Sequence, residues 1–166
     1  MKEPLLYRIT RPIIKVLFNF VYRPTYIGLE NIPENKACIL AGNHTNYLDC
    51  LLLISATKRT IHFLAKDDLS KGVKKIIFNN MGIIAVNRKK HDGKSLKIAC
   101  DFLKENKVIG IFPEGTINRT DDTIMPFKIG AVKMANDTSS YIVPFTIWEK
   151  LFVHIIYHNM IFYNKQ

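Results

Sequence analysis

The chain has 166 residues, 48% of them apolar, and a formal net charge of +10 at pH 7. That length supplies one domain with a buried core, and that composition excludes a disordered chain. Cys38, Cys50 and Cys100 are odd in number and set among apolar neighbours, which argues against a disulfide framework and for a reducing compartment. The charge is concentrated. Residues 1–23 hold five Lys/Arg against one acid, and residues 66–97 hold nine against three, while the rest of the chain balances. Two basic zones of this kind imply an anionic partner: a phosphate-bearing substrate, an anionic membrane or nucleic acid.

In chain order, the first element is an amphipathic helix. Residues 1–22 contain no run of 18 apolar residues and no small-residue cleavage site, so neither a spanning helix nor a secretory signal is expected. At 100° per residue, Leu6, Ile9, Ile13, Val16, Leu17 and Phe20 share one face. Arg8, Arg11 and Lys15 share the other, together with Phe18. A helix so patterned can lie in a headgroup layer, apolar side down. Pro12 would interrupt it, so the main helix is expected to begin near Thr10 as N-cap, with Pro12 in the first turn.

After residue 24, strand and helix patterns alternate. Tyr26–Leu29, Ala37–Ala41, Thr60–Ala65, Ile83–Val86, Val108–Phe112 and Tyr141–Ile147 read as strands. Tyr47–Thr57, Val73–Asn80, Ser95–Asn106 and Ile129–Asp137 read as helices. This order predicts a single-domain α/β layered fold, with a mixed, largely parallel sheet flanked by helices and an amphipathic helix in front. The expected parts are 1–23 as a membrane-surface helix, 24–148 as the main domain and 149–166 as an apolar tail. In such sheets, ligand sites gather on loops at the strand ends.

Three segments on such loops can carry chemistry. In Gly42-Asn43-His44-Thr45-Asn46-Tyr47-Leu48-Asp49, the histidine and the aspartate are five residues apart. On one straight helix they would point ~140° apart, so they meet only if His44 is on the loop and Asp49 in the first helical turn. Asn46 as N-cap would supply that turn and make Asp49 the third helical residue. An aspartate bonded to one imidazole nitrogen leaves the other free to take a proton from a hydroxyl. Phe112-Pro113-Glu114-Gly115-Thr116-Ile117-Asn118-Arg119 also follows an apolar strand, with a sharp turn and a guanidinium suited to phosphate. Gly82–Lys90 is a strand delivering Arg88, Lys89 and Lys90 to a loop. Each segment alone also fits an ordinary helix start, surface turn or solvated loop.

Together, their order and spacing resemble the 1-acylglycerol-3-phosphate (lysophosphatidic acid) acyltransferase family. Asn43-His44-x4-Asp49 resembles its first motif, Gly82 to Arg88 its second and Phe112-Pro113-Glu114-Gly115-Thr116 its third. Tyr141-Ile142-Val143-Pro144-Phe145 is similar to its fourth, and Leu64-Ala65-Lys66 with Leu69 to the segment between the first two. The resemblance covers roughly residues 24–148. It implies His44 as general base on the acceptor hydroxyl and Asp49 as its orienting partner. It implies Arg88 on the acceptor phosphate, helped by Lys66, and Glu114, Gly115 and Thr116 shaping the acceptor site, with Arg119 as a further candidate. The donor would be acyl-CoA or acyl carrier protein, with no cofactor and no metal. The expected partners are an anionic membrane surface, the acyl donor and a lysophospholipid, at the cytosolic face of the cell membrane, peripherally bound.

Asn87 stands where the family often has aspartate, and Ile117 where it often has a basic or small residue. Family members usually continue well past the fourth motif, and a truncation or shifted reading frame would explain an apolar tail from Trp148 to Gln166. Other readings are acylation of another lysophospholipid or of glycerol-3-phosphate, or a truncated, inactive membrane-binding homologue. His154 and His158 lie four apart but have no third ligand nearby, so no metal is expected. The sequence has no Gly-x-Ser-x-Gly elbow, no His-Glu-x-x-His and no phosphate-loop motif. The basic zones are interleaved with Ile, Val and Asn rather than aromatics, so nucleic acid is not expected.

Overall fold

A computed structural model describes residues 4–66, 76, 80–87, 93–152 and 155–163, with the backbone alone at 149–152 and 155–159. Helices α1 (Leu5–Val21), α2 (Asp49–Ala56), α3 (Lys94–Lys104) and α4 (Gly130–Thr138) flank one sheet. Its strands are β1 (Thr25–Ile27), β2 (Cys38–Gly42), β3 (Ile61–Lys66), β4 (Ile84–Val86), β5 (Val108–Ile111), β6 (Tyr141–Phe152) and β7 (Ile155–Phe162). The sheet order is β1-β7-β6-β2-β5-β3-β4. The run from β6 to β4 is parallel throughout, and β7 is antiparallel to β6. This is the mixed, largely parallel α/β sheet that the alternating patterns predict. Most of Val73–Asn80 lies outside the described residues.

The parallel strands are apolar on both faces because both faces are covered. All five residues of β2 are buried. Cys38 and Leu40 face a core built with Tyr7 and Phe18 of α1 and Leu52, Leu53 and Ile54 of α2. Ile39 and Ala41 face a second core with Ala99, Cys100 and Leu103 of α3 and Ala131 and Met134 of α4. With all these strands parallel, the C-terminal ends of β2, β5, β3 and β4 share one edge, where the loops carrying the candidate residues begin.

Helix α1 differs from expectation. It starts at Leu5, not near Thr10, and Pro12 lies inside it. Pro12 deprives the Arg8 carbonyl of its helical donor, but both residues are exposed, where water can satisfy that carbonyl. Tertiary contacts on both sides of Pro12 hold the helix continuous. Tyr7 and Phe18 are 1% and 2% exposed, each burial worth roughly 1.5–3 kcal/mol. The Tyr7 hydroxyl accepts the Ile61 amide at 3.1 Å and donates to the Arg59 carbonyl at 3.4 Å, tying α1 to the start of β3. Arg11 donates to the Lys58 carbonyl. The side of the helix that carries Phe18 therefore faces the protein. The apolar face read from the sequence is the outward one, with Ile13 61%, Val16 70% and Phe20 79% exposed.

Three further differences concern element limits. The first strand ends at Ile27, because Gly28 turns into the left-handed region (φ 78°) and a 3-10 turn follows over Leu29–Asn31. Helix α2 begins at Asp49 with Leu48 before it, so Asn46 is not the residue adjoining the helix. Its carbonyl side-chain oxygen instead accepts the Leu48 amide at 3.1 Å, a local turn leading into α2. Finally, the end of the chain is not a tail beside the sheet. β6 continues to Phe152, and β7 returns to pair with it and, in parallel, with β1. Met160 and Phe162 are buried in the first core, and the Phe162 carbonyl accepts the Asn31 amide side chain at 3.0 Å.

Candidate active site

The sheet register brings two loops together. Ala41 of β2 pairs with Ile111 of β5, so the residues that follow, Asn43-His44 and Pro113-Glu114, leave the edge side by side. On the other flank, Gly42 pairs with Phe145 of β6. A Cβ on Gly42 would lie 2.4 Å from the Phe145 ring, so only glycine lets that ring close the core beneath the loop.

Asn43 is 5% exposed and fills a role that the sequence reading did not assign. Its side chain accepts the Ile147 amide and donates to the Ile147 carbonyl, each at 2.8 Å. That double bond to β6 fixes the start of the His44 loop. The next peptide is clamped from the β5 side. The His44 amide donates to Glu114 Oε1 at 2.8 Å, and its carbonyl accepts the Asn118 amide at 2.7 Å. Glu114 is 3% exposed, and its other oxygen accepts the Met125 amide at 3.1 Å. The buried carboxylate is thus satisfied by two backbone donors from different loops.

His44 and Asp49 meet as their spacing requires. His44 Nδ1 lies 2.8 Å from Asp49 Oδ2. The same oxygen accepts the Thr45 amide at 2.7 Å and the Asn46 amide at 2.9 Å. Asp49 is 1% exposed and the His44 side chain 17%. A carboxylate offers only acceptors, so the network assigns the proton to Nδ1, and Nε2 of the neutral ring carries the lone pair. The ring also stacks on Phe112, with centroids 4.0 Å apart and planes 14° apart. Phe112 is held in turn against Phe63 and edge-on to Phe145. Imidazole orientation is therefore set by a hydrogen bond and a stacked ring together.

A neighbouring thiol is no competitor as nucleophile. Burial, then the Asp49 charge, pushes the Cys50 thiol up to about 12, so it carries no thiolate at neutral pH. Among the described residues, the His44–Asp49 pair can supply a positioned base with Cys50 set aside as nucleophile, an arrangement that suits direct transfer onto an acceptor hydroxyl.

The remaining candidates divide. Gly115 follows Glu114 with φ +76°, a conformation that favours glycine, and Thr116 is exposed beside it. Arg119 donates to the Tyr47 hydroxyl at 3.2 Å, joining the two loops at the exposed rim. Lys66 ends β3, two strands from β2, roughly 10 Å along the same edge. β4 ends at Val86 in register with Lys66, whereas Arg88 lies outside the described residues. So does His154, one of the tail histidines. What the sequence reading missed, Asn43 and Phe112, both act across strands. A signal for Asn43 was its place between a strand-ending glycine and the histidine.

These features place a hydrogen-bonded His–Asp pair at the strand ends of an α/β sheet, and similarity to known proteins gives the family. The family model described as Acyltransferase matches residues 23–148, and the chain belongs to that family. It is 38% identical over 128 residues to a 1-acyl-sn-glycerol-3-phosphate acyltransferase of Borreliella burgdorferi, covering 73% of this chain and 49% of that protein. It is 28% identical over 142 residues to a 1-acyl-sn-glycerol-3-phosphate acyltransferase of Bacillus subtilis, covering 84% and 69%. The chain thus spans about half the length of the first of these. The crystal structure of the 1-acyl-sn-glycerophosphate acyltransferase PlsC from Thermotoga maritima superposes with a TM-score of 0.74 at 20% identity, covering 96% of this chain and 70% of that one. That likeness establishes the shared fold.

Proposed function

We propose that the chain transfers an acyl group from acyl-CoA or acyl carrier protein to the free hydroxyl of lysophosphatidate, giving phosphatidate, at the cytosolic face of a membrane. The observation that carries this reading is His44, with Nδ1 committed to buried Asp49 and Nε2 left to accept a proton at the open strand edge. Nε2 takes the proton of the acceptor hydroxyl as that oxygen attacks the thioester carbonyl. The tetrahedral intermediate collapses, the carbon–sulfur bond breaks, and the thiol leaves with the proton from the imidazolium. Asp49 favours the imidazolium in between. The names of the relatives support lysophosphatidate as acceptor. Acyl transfer measured on a panel of lysophosphatidate, other lysophospholipids and glycerol-3-phosphate, with both donors, tests the reading. Preference for lysophosphatidate is expected, and transfer to none of them would refute it.

The acceptor lies in a bilayer, and the outward face of α1 supports contact with one. No helix among the described residues is long and apolar enough to cross a membrane. Leu5, Ile9, Ile13, Val16, Leu17 and Phe20 are each more than half exposed, an unusual amount of apolar surface for one helix facing water. Replacing Ile13 and Phe20 together by serine leaves Tyr7 and Phe18 in the core. This double variant should stay folded and sediment less with anionic liposomes. Binding of the unaltered chain should weaken with salt as basic side chains are screened. Undiminished sedimentation of the double variant would remove α1 as the contact.

A further inference from the structure

The loop between β5 and α4 folds back onto the turn that holds Glu114. The Met125 amide donates to Glu114 Oε2, and the Lys128 amide donates to the Pro113 carbonyl at 3.0 Å. These two ties lay the Lys128 side chain along Gly115. A Cβ on Gly115 would lie 2.5 Å from Lys128 Nζ, 3.2 Å from Cε and 3.4 Å from Cδ. Gly115 is required by its positive φ, and its missing side chain leaves room for the lysine that passes over it.

The ammonium that arrives there is unpaired among the described residues. Among the described residues, no hydrogen bond or ion pair joins the Lys128 side chain to the protein. Glu114 is next to Gly115 in sequence, yet its two oxygens take the His44 and Met125 amides. Asp121 and Asp122, in the same loop, do not bond to Lys128 either. Lys128 is exposed, and an exposed lysine ordinarily lays its stem along the surface with the charged head in water. Here the stem is directed over a turn whose neighbouring residue clamps His44, and the charge is left for an incoming anion.

We propose that Lys128 is a substrate-contacting residue whose ammonium takes the phosphate of the acceptor beside His44. This rests on the acyl-transfer reading above. In lysophosphatidate the phosphate is borne by the carbon next to the one carrying the reacting hydroxyl. A hydroxyl at His44 Nε2 therefore puts the phosphate within the immediate surroundings of that histidine, on the scale of the Glu114–Gly115 turn. A compact ammonium suits it as a point charge with three donors.

The test compares the unaltered chain with Lys128→Met, which keeps a stem over Gly115 without the charge, and with Lys128→Arg. Each is assayed with a short-chain lysophosphatidate and with the matching monoacylglycerol, which lacks the phosphate. Lys128→Met should raise KM for lysophosphatidate about tenfold or more beyond its effect on monoacylglycerol, and the donor KM should not follow. Lys128→Arg should recover part of the loss. Equal losses on both acceptors, or a shift in the donor KM alone, would overturn the assignment. Calorimetric titration with the lysophosphatidate reads the contact without turnover. A chain that binds it through Lys128 but acylates nothing would refute the acyl-transfer reading and keep the contact.

Discussion

Two histidines lie close to the same sheet and differ in partner and exposure. His44 sits on the loop after β2, bonded through Nδ1 to a buried carboxylate, with its side chain 17% exposed. His62 lies within β3, 4% exposed, with Nδ1 bonded at 2.8 Å to the carbonyl of Gly82 and its ring tilted against Phe102. Both rings have an assigned proton on Nδ1. Only His44 has a carboxylate hydrogen-bonded to its ring, and its side chain is the more exposed of the two. Burial lowers the pKa of His62, because its charged form would lose water; the bond to the Gly82 carbonyl and the Glu105 charge oppose this, and the Lys107 charge adds to it. On the proposed reading, partner chemistry and access, more than residue type, make His44 the base.

The comparison breaks most visibly at the carboxylate. Asp49→Asn keeps the side-chain shape but offers Nδ1 an amide that can favour the other tautomer, so turnover should fall by up to ~10⁴-fold. Steady-state rates on folded protein check this, and near-normal turnover would mean that Asp49 serves only the helix start. The next effect is smaller and concerns the acceptor. The family resemblance assigns its phosphate to Arg88, so Arg88→Ala should raise the acceptor KM by the equivalent of ~1.5–3 kcal/mol, well above any change in donor KM. Arg88→Lys should restore part of it, since a point charge replaces a fork. Equal changes in both constants would contradict the assignment.

The smallest effect belongs to His62 and is one of stability. Its folded pKa is depressed, so below the unfolded value of about 6.5 the unfolded chain binds the proton more readily. Stability should therefore fall as pH drops through that value and on toward the lower, folded one. His62→Gln should flatten this part of a plot of Tm against pH while turnover at neutral pH is retained. A slope identical to that of the unaltered chain would mean that His62 is not the titrating group.

Much of the fold was legible because its signals are local. The apolar runs at 37–41 and 108–112 mark β2 and β5, and the His44–Asp49 spacing announces a pair that only a loop and a helix start can join. What was not legible depends on neighbours distant in sequence. Phe112 lies under His44 because Ala41 and Ile111 are in register. Asn43 reaches Ile147 because β6 runs beside β2. Pro12 misled the reading of α1, since local propensity favours a break there and the burial of Tyr7 and Phe18 opposes it. The strand at 155–162 was likewise hidden, because its partners β1 and β6 are formed elsewhere in the chain.

The central claim is that His44 is the base, and one substitution tests it most directly. His44→Ala leaves Asp49 bonded to the Thr45 and Asn46 amides, so the loop keeps two of its ties. Acyl transfer to lysophosphatidate by this variant, measured beside a circular dichroism melt of the same sample, should fall by ~10²–10⁴-fold with the fold intact. A folded variant that turns over at near the unaltered rate would contradict the account.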